Sequence, residues 1–86
     1  MKPEYKSTSV QQSLAHVIEE CGEVIAAAGK SLRWGLSSVN PELPLEQQES
    51  NRDWLFREIT DLEQAILYLK SYIAYEEVQN NIKNGI

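Results

Sequence analysis

A chain of 86 residues with 13 acids against 8 lysines and arginines, a formal net charge of −5, forms one domain at most. It is a poor partner for nucleic acid or an anionic membrane, since both recruit surplus cations. Its hydrophobic content of 42% is too high for a disordered chain, and the single Cys21 excludes an intrachain disulfide framework and a cysteine-based zinc site.

In chain order, residues 1–8 are polar and read as a flexible N-terminus, with Ser7, Thr8 and Ser9 as candidate helix caps. There is no apolar core of a signal peptide and no run near the ~20 apolar residues of a membrane span. The expected location is therefore cytoplasmic. Leu14, Val17, Ile18, Cys21, Val24, Ile25, Ala28 and Leu32 then recur at steps of three and four. That spacing predicts a helix over roughly residues 9–32, closing near Gly29 or Gly35. Residues 35–50 contain Asn40-Pro41 and Pro44 and read as a loop, with a short helical turn near 45–50. Ser50 or Asn51 caps a second helix. Its apolar line is Leu55, Ile59, Leu62, Ile66, Leu69 and Ile73, broadened by Phe56, Ala65 and Tyr72, and it runs to about residue 79. Residues 80–86 read as a tail.

The expected fold is thus all-α: one domain over residues 1–86, with two long antiparallel helices and short helical segments. Two helices alone cannot enclose a core. Oligomerisation into a four-helix bundle is the expected solution.

The acids carry the chemistry. The first helix bears Glu19-Glu20-Cys21-Gly22-Glu23, an E-E-x-x-E pattern; the second bears Glu58-Ile59-Thr60-Asp61, an E-x-x-D pattern. Residues three or four apart share a helix face, and like charges there repel. By periodicity alone such pairs read first as a solvated acidic face and second as oxygen ligands for a hard cation. Gly22, Ala26 and Ala27 lie near the acids, where a solvated face usually carries long polar side chains. No lysine stands four residues after Glu19, Glu20 or Glu23.

The run His16-Val17-Ile18-Glu19-Glu20-Cys21-Gly22-Glu23-Val24-Ile25, then Lys30, Arg33-Trp34-Gly35, Asn51-Arg52, Leu55 and Glu58-Ile59-Thr60-Asp61-Leu62, resembles the MazG-like all-α nucleoside triphosphate pyrophosphohydrolases, in their short single-unit form. The resemblance implies hydrolysis of a nucleoside triphosphate to the monophosphate and pyrophosphate, in a homodimer or homotetramer that needs Mg²⁺ or, in its place, Mn²⁺. By motif position it makes Glu20, Glu23, Glu58 and Asp61 the metal ligands. Glu19 becomes an auxiliary carboxylate beside them, giving Glu19, Glu20 and Glu23 as the catalytic acids. Lys30, Arg33 and Arg57 become phosphate contacts, with helix-end or surface charges as the plainer reading. Trp34 and Trp54 read first as core or interface residues and second as a stacking surface for a base. His16 reads as a boundary histidine. Tyr68, Tyr72 and Tyr75 read as core and interface residues, and Cys21 as packing. The competing functional reading is a non-catalytic helical oligomerisation module whose acids are only a soluble face.

Overall fold

The computed structural model describes residues 9–83. Residues 1–8 and 84–86, with the flexible terminus and the end of the tail expected there, lie outside the described residues. Within them the regular elements are all helical: α1 (Val10–Trp34), a 3-10 turn (Leu45–Gln47) and α2 (Asn51–Lys83).

Each helix boundary has a local cause. Ser9 sits in extended backbone and its Oγ accepts from the Gln12 N–H at 3.1 Å, so α1 starts at Val10. Gly35 ends it at φ 96°, its N–H donating to the Ser31 carbonyl at 2.9 Å. A residue with a Cβ resists that φ. The loop then folds back onto α2. The Asn51 side-chain amide donates to the Gly35 and Lys30 carbonyls at 3.0 and 3.3 Å. The Asn51 and Arg52 N–H groups donate to the Ser38 and Leu36 carbonyls, while those of Asp53 and Trp54 are held by Ser50 Oγ and Ser50 O. All four leading donors of α2 are therefore satisfied from within the chain.

At its far end α2 continues to Lys83, four residues past the expected end at 79. Residues 80–83 are therefore helical and not part of a tail. Asn80 and Asn81 are mediocre helix formers, yet neither breaks the backbone as Gly or Pro would.

The helices run antiparallel: Asn51 meets Lys30 and Gly35, and the Glu58–Asp61 turn meets Glu20. The faces they turn to each other coincide only in part with the apolar lines, of which Val17, Cys21, Val24, Leu55, Leu62 and Leu69 are half-buried. On α1 the buried residues are Ser13, His16, Glu20 and Ala27, and on α2 they are Glu58 and Ala65. The apolar stripe of α1 lies about a quarter-turn away, at the usual ~100° per residue. Leu14, Ile18, Ile25 and Leu32 are all exposed, Leu32 at 91%. On α2, Phe56, Ile59, Ile66 and Ile73 are exposed as well. Ala27 and Ala65 are the fully buried hydrophobic residues among those described.

Candidate functional site

Midway along the helix pair the acids of the two motifs converge. Carboxylate oxygens of Glu20, Glu58 and Asp61 lie within 4.8 Å of one another, and the same holds for Glu19, Glu20 and Glu23. Glu20 belongs to both groups. It is fully buried and Glu58 is 3% exposed, whereas Glu23 and Asp61 are half-buried and Glu19 is exposed. The cause is local. The i, i+3 spacing points Glu20 and Glu23 across the contact, and Glu58 and Asp61 meet them from the antiparallel partner. Ala27, one turn beyond Glu23, is the small neighbour that packs against α2, while Gly22 and Ala26 face outward.

This burial is costly as it stands. Neither oxygen of Glu20, nor Oε2 of Glu58, meets a hydrogen-bond donor among the described residues. Buried carboxylates without donors hold a proton or a cation. The protonation pattern agrees. Burial, helped by the Glu23 charge, pushes the Glu20 carboxyl up to about 7. Burial also raises Glu58, and its proton is shared toward Glu23, which is lowered as the acceptor. The donor set is all oxygen, the preference of Mg²⁺ and Mn²⁺. Opposite oxygens around Mg²⁺ stand roughly 4.2 Å apart at the ~2.1 Å bond length, a span that the two groups accommodate. The residues therefore fit a divalent cation.

His16, read from the sequence as a boundary histidine, is 1% exposed, and its Nε2 stands 3.8 Å from Glu20 Oε1. Ser13, a turn earlier, is buried too. The row Ser13, His16, Glu20 has a helical spacing that only the search for apolar residues concealed.

Beside the carboxylates, a cleft of ≈ 880 Å³ opens between the end of α1, the 35–50 loop and the start of α2. Lys30, Trp34, Asn51, Trp54 and Arg57 line it. Of the four residues expected to touch substrate, Lys30, Trp34 and Arg57 are gathered here. Arg33 is not; its guanidinium lies 5.3 Å over the Trp34 ring. Trp34 is 61% exposed and so is not a core residue of this chain, and Trp54 is half-buried. Because the α2 N-terminus has its donors filled, an anion in the cleft depends on side chains. Arg57 is already engaged by Glu49 of the loop and by Glu58, each at 2.9 Å; sequence reading missed the Glu49 link because an offset of eight residues across the start of α2 is not a helical i, i+3 or i, i+4 pair. Cys21 is half-buried and free.

No helix among the described residues is long and apolar enough to cross a membrane. Comparison with known proteins finds no matching family model, no matching curated protein and no matching solved structure.

Proposed function

We propose that this chain is a Mg²⁺-dependent nucleoside triphosphate pyrophosphohydrolase of MazG-like type. It acts as a homo-oligomeric four-helix bundle in the cytoplasm and clears nucleotides from the pool. The observation that carries this reading is the convergence of Glu20, Glu58 and Asp61, with both Glu20 oxygens and Glu58 Oε2 buried and without a donor among the described residues. A solvated acidic face, as the oligomerisation-module reading requires, has no reason to bury two of its carboxylates.

In the proposed reaction water attacks the α-phosphorus, the α–β anhydride bond breaks, and pyrophosphate leaves. A bound divalent cation neutralises phosphate charge and favours the attacking water. Glu20, Glu23, Glu58 and Asp61 are the residues to hold it, and Glu19 is the accessible carboxylate that orients water or holds a further ion. Lys30 and Arg57 are placed to meet phosphate oxygens, and Trp34 and Trp54 offer ring faces to a base. Arg33 stacks on the Trp34 ring.

The apolar faces support the oligomer. Each apolar line is offset from its helix's contact face in the same rotational sense. Because the helices are antiparallel, both lines come to the same side of the hairpin. Ile18 and Ile25 at 71% exposure and Phe56 at 73% are large hydrophobes on a protein this small. A second copy placed face to face buries them.

The test is pyrophosphate release from a panel of canonical and modified dNTPs with Mg²⁺. Glu20→Gln and Glu58→Gln are expected to lose more activity than the about 10–100-fold that supporting residues around a metal cost. No turnover of any substrate, with both variants indistinguishable from wild type, refutes the enzyme.

A further inference from the structure

Arg57 joins the two halves of the site. Its Nη1–H donates to Glu58 Oε1 at 2.9 Å. Its Nε–H and Nη2–H donate to Glu49 Oε2 and Oε1 at 3.2 and 2.9 Å. Glu58 is one of the two buried carboxylates of the acidic cluster, and its Oε2 meets no donor among the described residues. Glu49 belongs to the loop that forms one wall of the cleft. The guanidinium itself is half-exposed and lines that cleft. One side chain therefore touches the cation ligand, the loop and the space for an anion.

Chemistry makes these contacts exchangeable. A guanidinium fork fits a carboxylate and a phosphate by the same two-pronged geometry. A divalent cation at Glu58 competes with Arg57 for one carboxylate charge. A polyphosphate in the cleft competes with Glu49 for the fork.

We infer that Arg57 is an exchange latch. It neutralises Glu58 while no cation is bound; a divalent cation at Glu58 displaces it, and polyphosphate then takes it from Glu49, releasing the loop. The inference rests on the cation reading above and adds an order to it: cation, then polyphosphate, then loop. Arg57 is a positioning residue toward the cation and a contact residue toward the phosphates.

The two roles have opposite signs. Arg57→Gln removes both a competitor for Glu58 and a nearby positive charge, so it tightens divalent-cation binding by about tenfold, a modest share of a close charge–charge interaction at an effective dielectric of ~20. The same substitution weakens polyphosphate binding by about tenfold, because a charge-assisted pair is lost. An arginine that only braces the loop moves both affinities downward.

The experiment is calorimetric titration of the full chain with Mn²⁺ alone, then of the Mn²⁺-loaded protein with imidodiphosphate. Wild type, Arg57→Gln and Glu49→Gln are compared, with far-UV circular dichroism as the control for folding. Glutamine is a good helix former at an exposed position. Arg57→Gln is expected to bind Mn²⁺ more tightly and imidodiphosphate more weakly. Glu49→Gln, which removes the competitor for the fork, is expected to bind imidodiphosphate more tightly. If wild type binds Mn²⁺ and Arg57→Gln binds it equally or more weakly, the latch is overturned and the cation site stands. An unchanged or weakened imidodiphosphate affinity in Glu49→Gln also overturns the latch. If wild type binds no Mn²⁺, the cation reading falls and the latch falls with it.

Discussion

Raising the pH from about 5.5 to about 8 in EDTA is expected to destabilise the protein, against the habit of most acidic domains. The cause is Glu20, whose carboxyl is pushed from 4.5 up to about 7 by burial first and by Glu23 second. An acid with a raised value holds its proton more tightly folded than unfolded. Its favourable contribution is complete below about pH 4.5, declines as the pH rises, and is gone above about 7. The part of that gap lying above pH 5.5 corresponds to about 2 kcal/mol. For a domain of this size that is a fall of roughly 8–16 °C in melting temperature. Glu58 is raised too and adds in the same sense, while Glu23, lowered by its contact with Glu58, changes stability only below about 4.5 and adds no slope in this range. Saturating Mg²⁺ keeps the carboxylates ionised in the folded state and flattens the dependence. Glu20→Gln, a neutral mimic of the protonated acid, removes most of it without metal. Melts followed by circular dichroism at fixed protein concentration make the measurement, because assembly also shifts the midpoint. A midpoint in EDTA that is flat or rises over this range, or a Glu20→Gln variant with the wild-type slope, refutes the reasoning.

Three further outcomes follow from the fold. Ser50→Ala removes the acceptor 3.1 Å from the Asp53 N–H and should cost about 1 kcal/mol, read as a loss of roughly 4–8 °C in a thermal melt; an unchanged midpoint removes Ser50 as the cap. Ile25→Glu places a charge on a side chain 71% exposed in the single chain, removing about 1.5–3 kcal/mol of apolar burial per copy in the assembled bundle. Light scattering should then report monomers, and an intact oligomer moves the interface to another face. Trp34→Ala should weaken nucleotide binding by about 1–3 kcal/mol if a base stacks on the ring; equal affinities by fluorescence titration place the base elsewhere.

Local chemistry made the helices legible. Ser9, Gly35 and Ser50 are punctuation whose backbone effect depends on near neighbours, and the structure places both helix starts and the first helix end within two residues of expectation. The end of α2 was less legible because Asn80 and Asn81 weaken a helix without stopping it. The carboxylate pairs were visible as spacing, but spacing does not reveal which face of a helix meets its partner. The apolar stripe of α1 drew attention to Ile18 and Ile25, and these are the residues left exposed. Ser13, His16 and Glu20 form the contact because antiparallel register sets Glu58 and Ala65 opposite them. That register depends on the Asn51 clamp, a contact across the loop that no local pattern reports. The Glu49–Arg57 pair was hidden because Glu49 precedes the helix, outside the i, i+3 and i, i+4 spacings that a helical pattern reports.

The helix pair is therefore organised against the ordinary rule that apolar side chains pack first. Within one chain the contact surface contributes limited hydrophobic stabilisation, because Ala27 and Ala65 are its fully buried hydrophobic residues among those described. It also carries the desolvation cost of Glu20 and Glu58. Such a contact persists only if the charge is neutralised and the apolar lines are covered from outside. In the proposed enzyme these are separate events on faces about a quarter-turn apart. Cation binding repairs the inner face, and a second copy covers the outer one. In that proposal the acids lie between the two helices of one chain, and the assembly supplies the stability that lets the carboxylates tolerate burial a hairpin standing alone would resist.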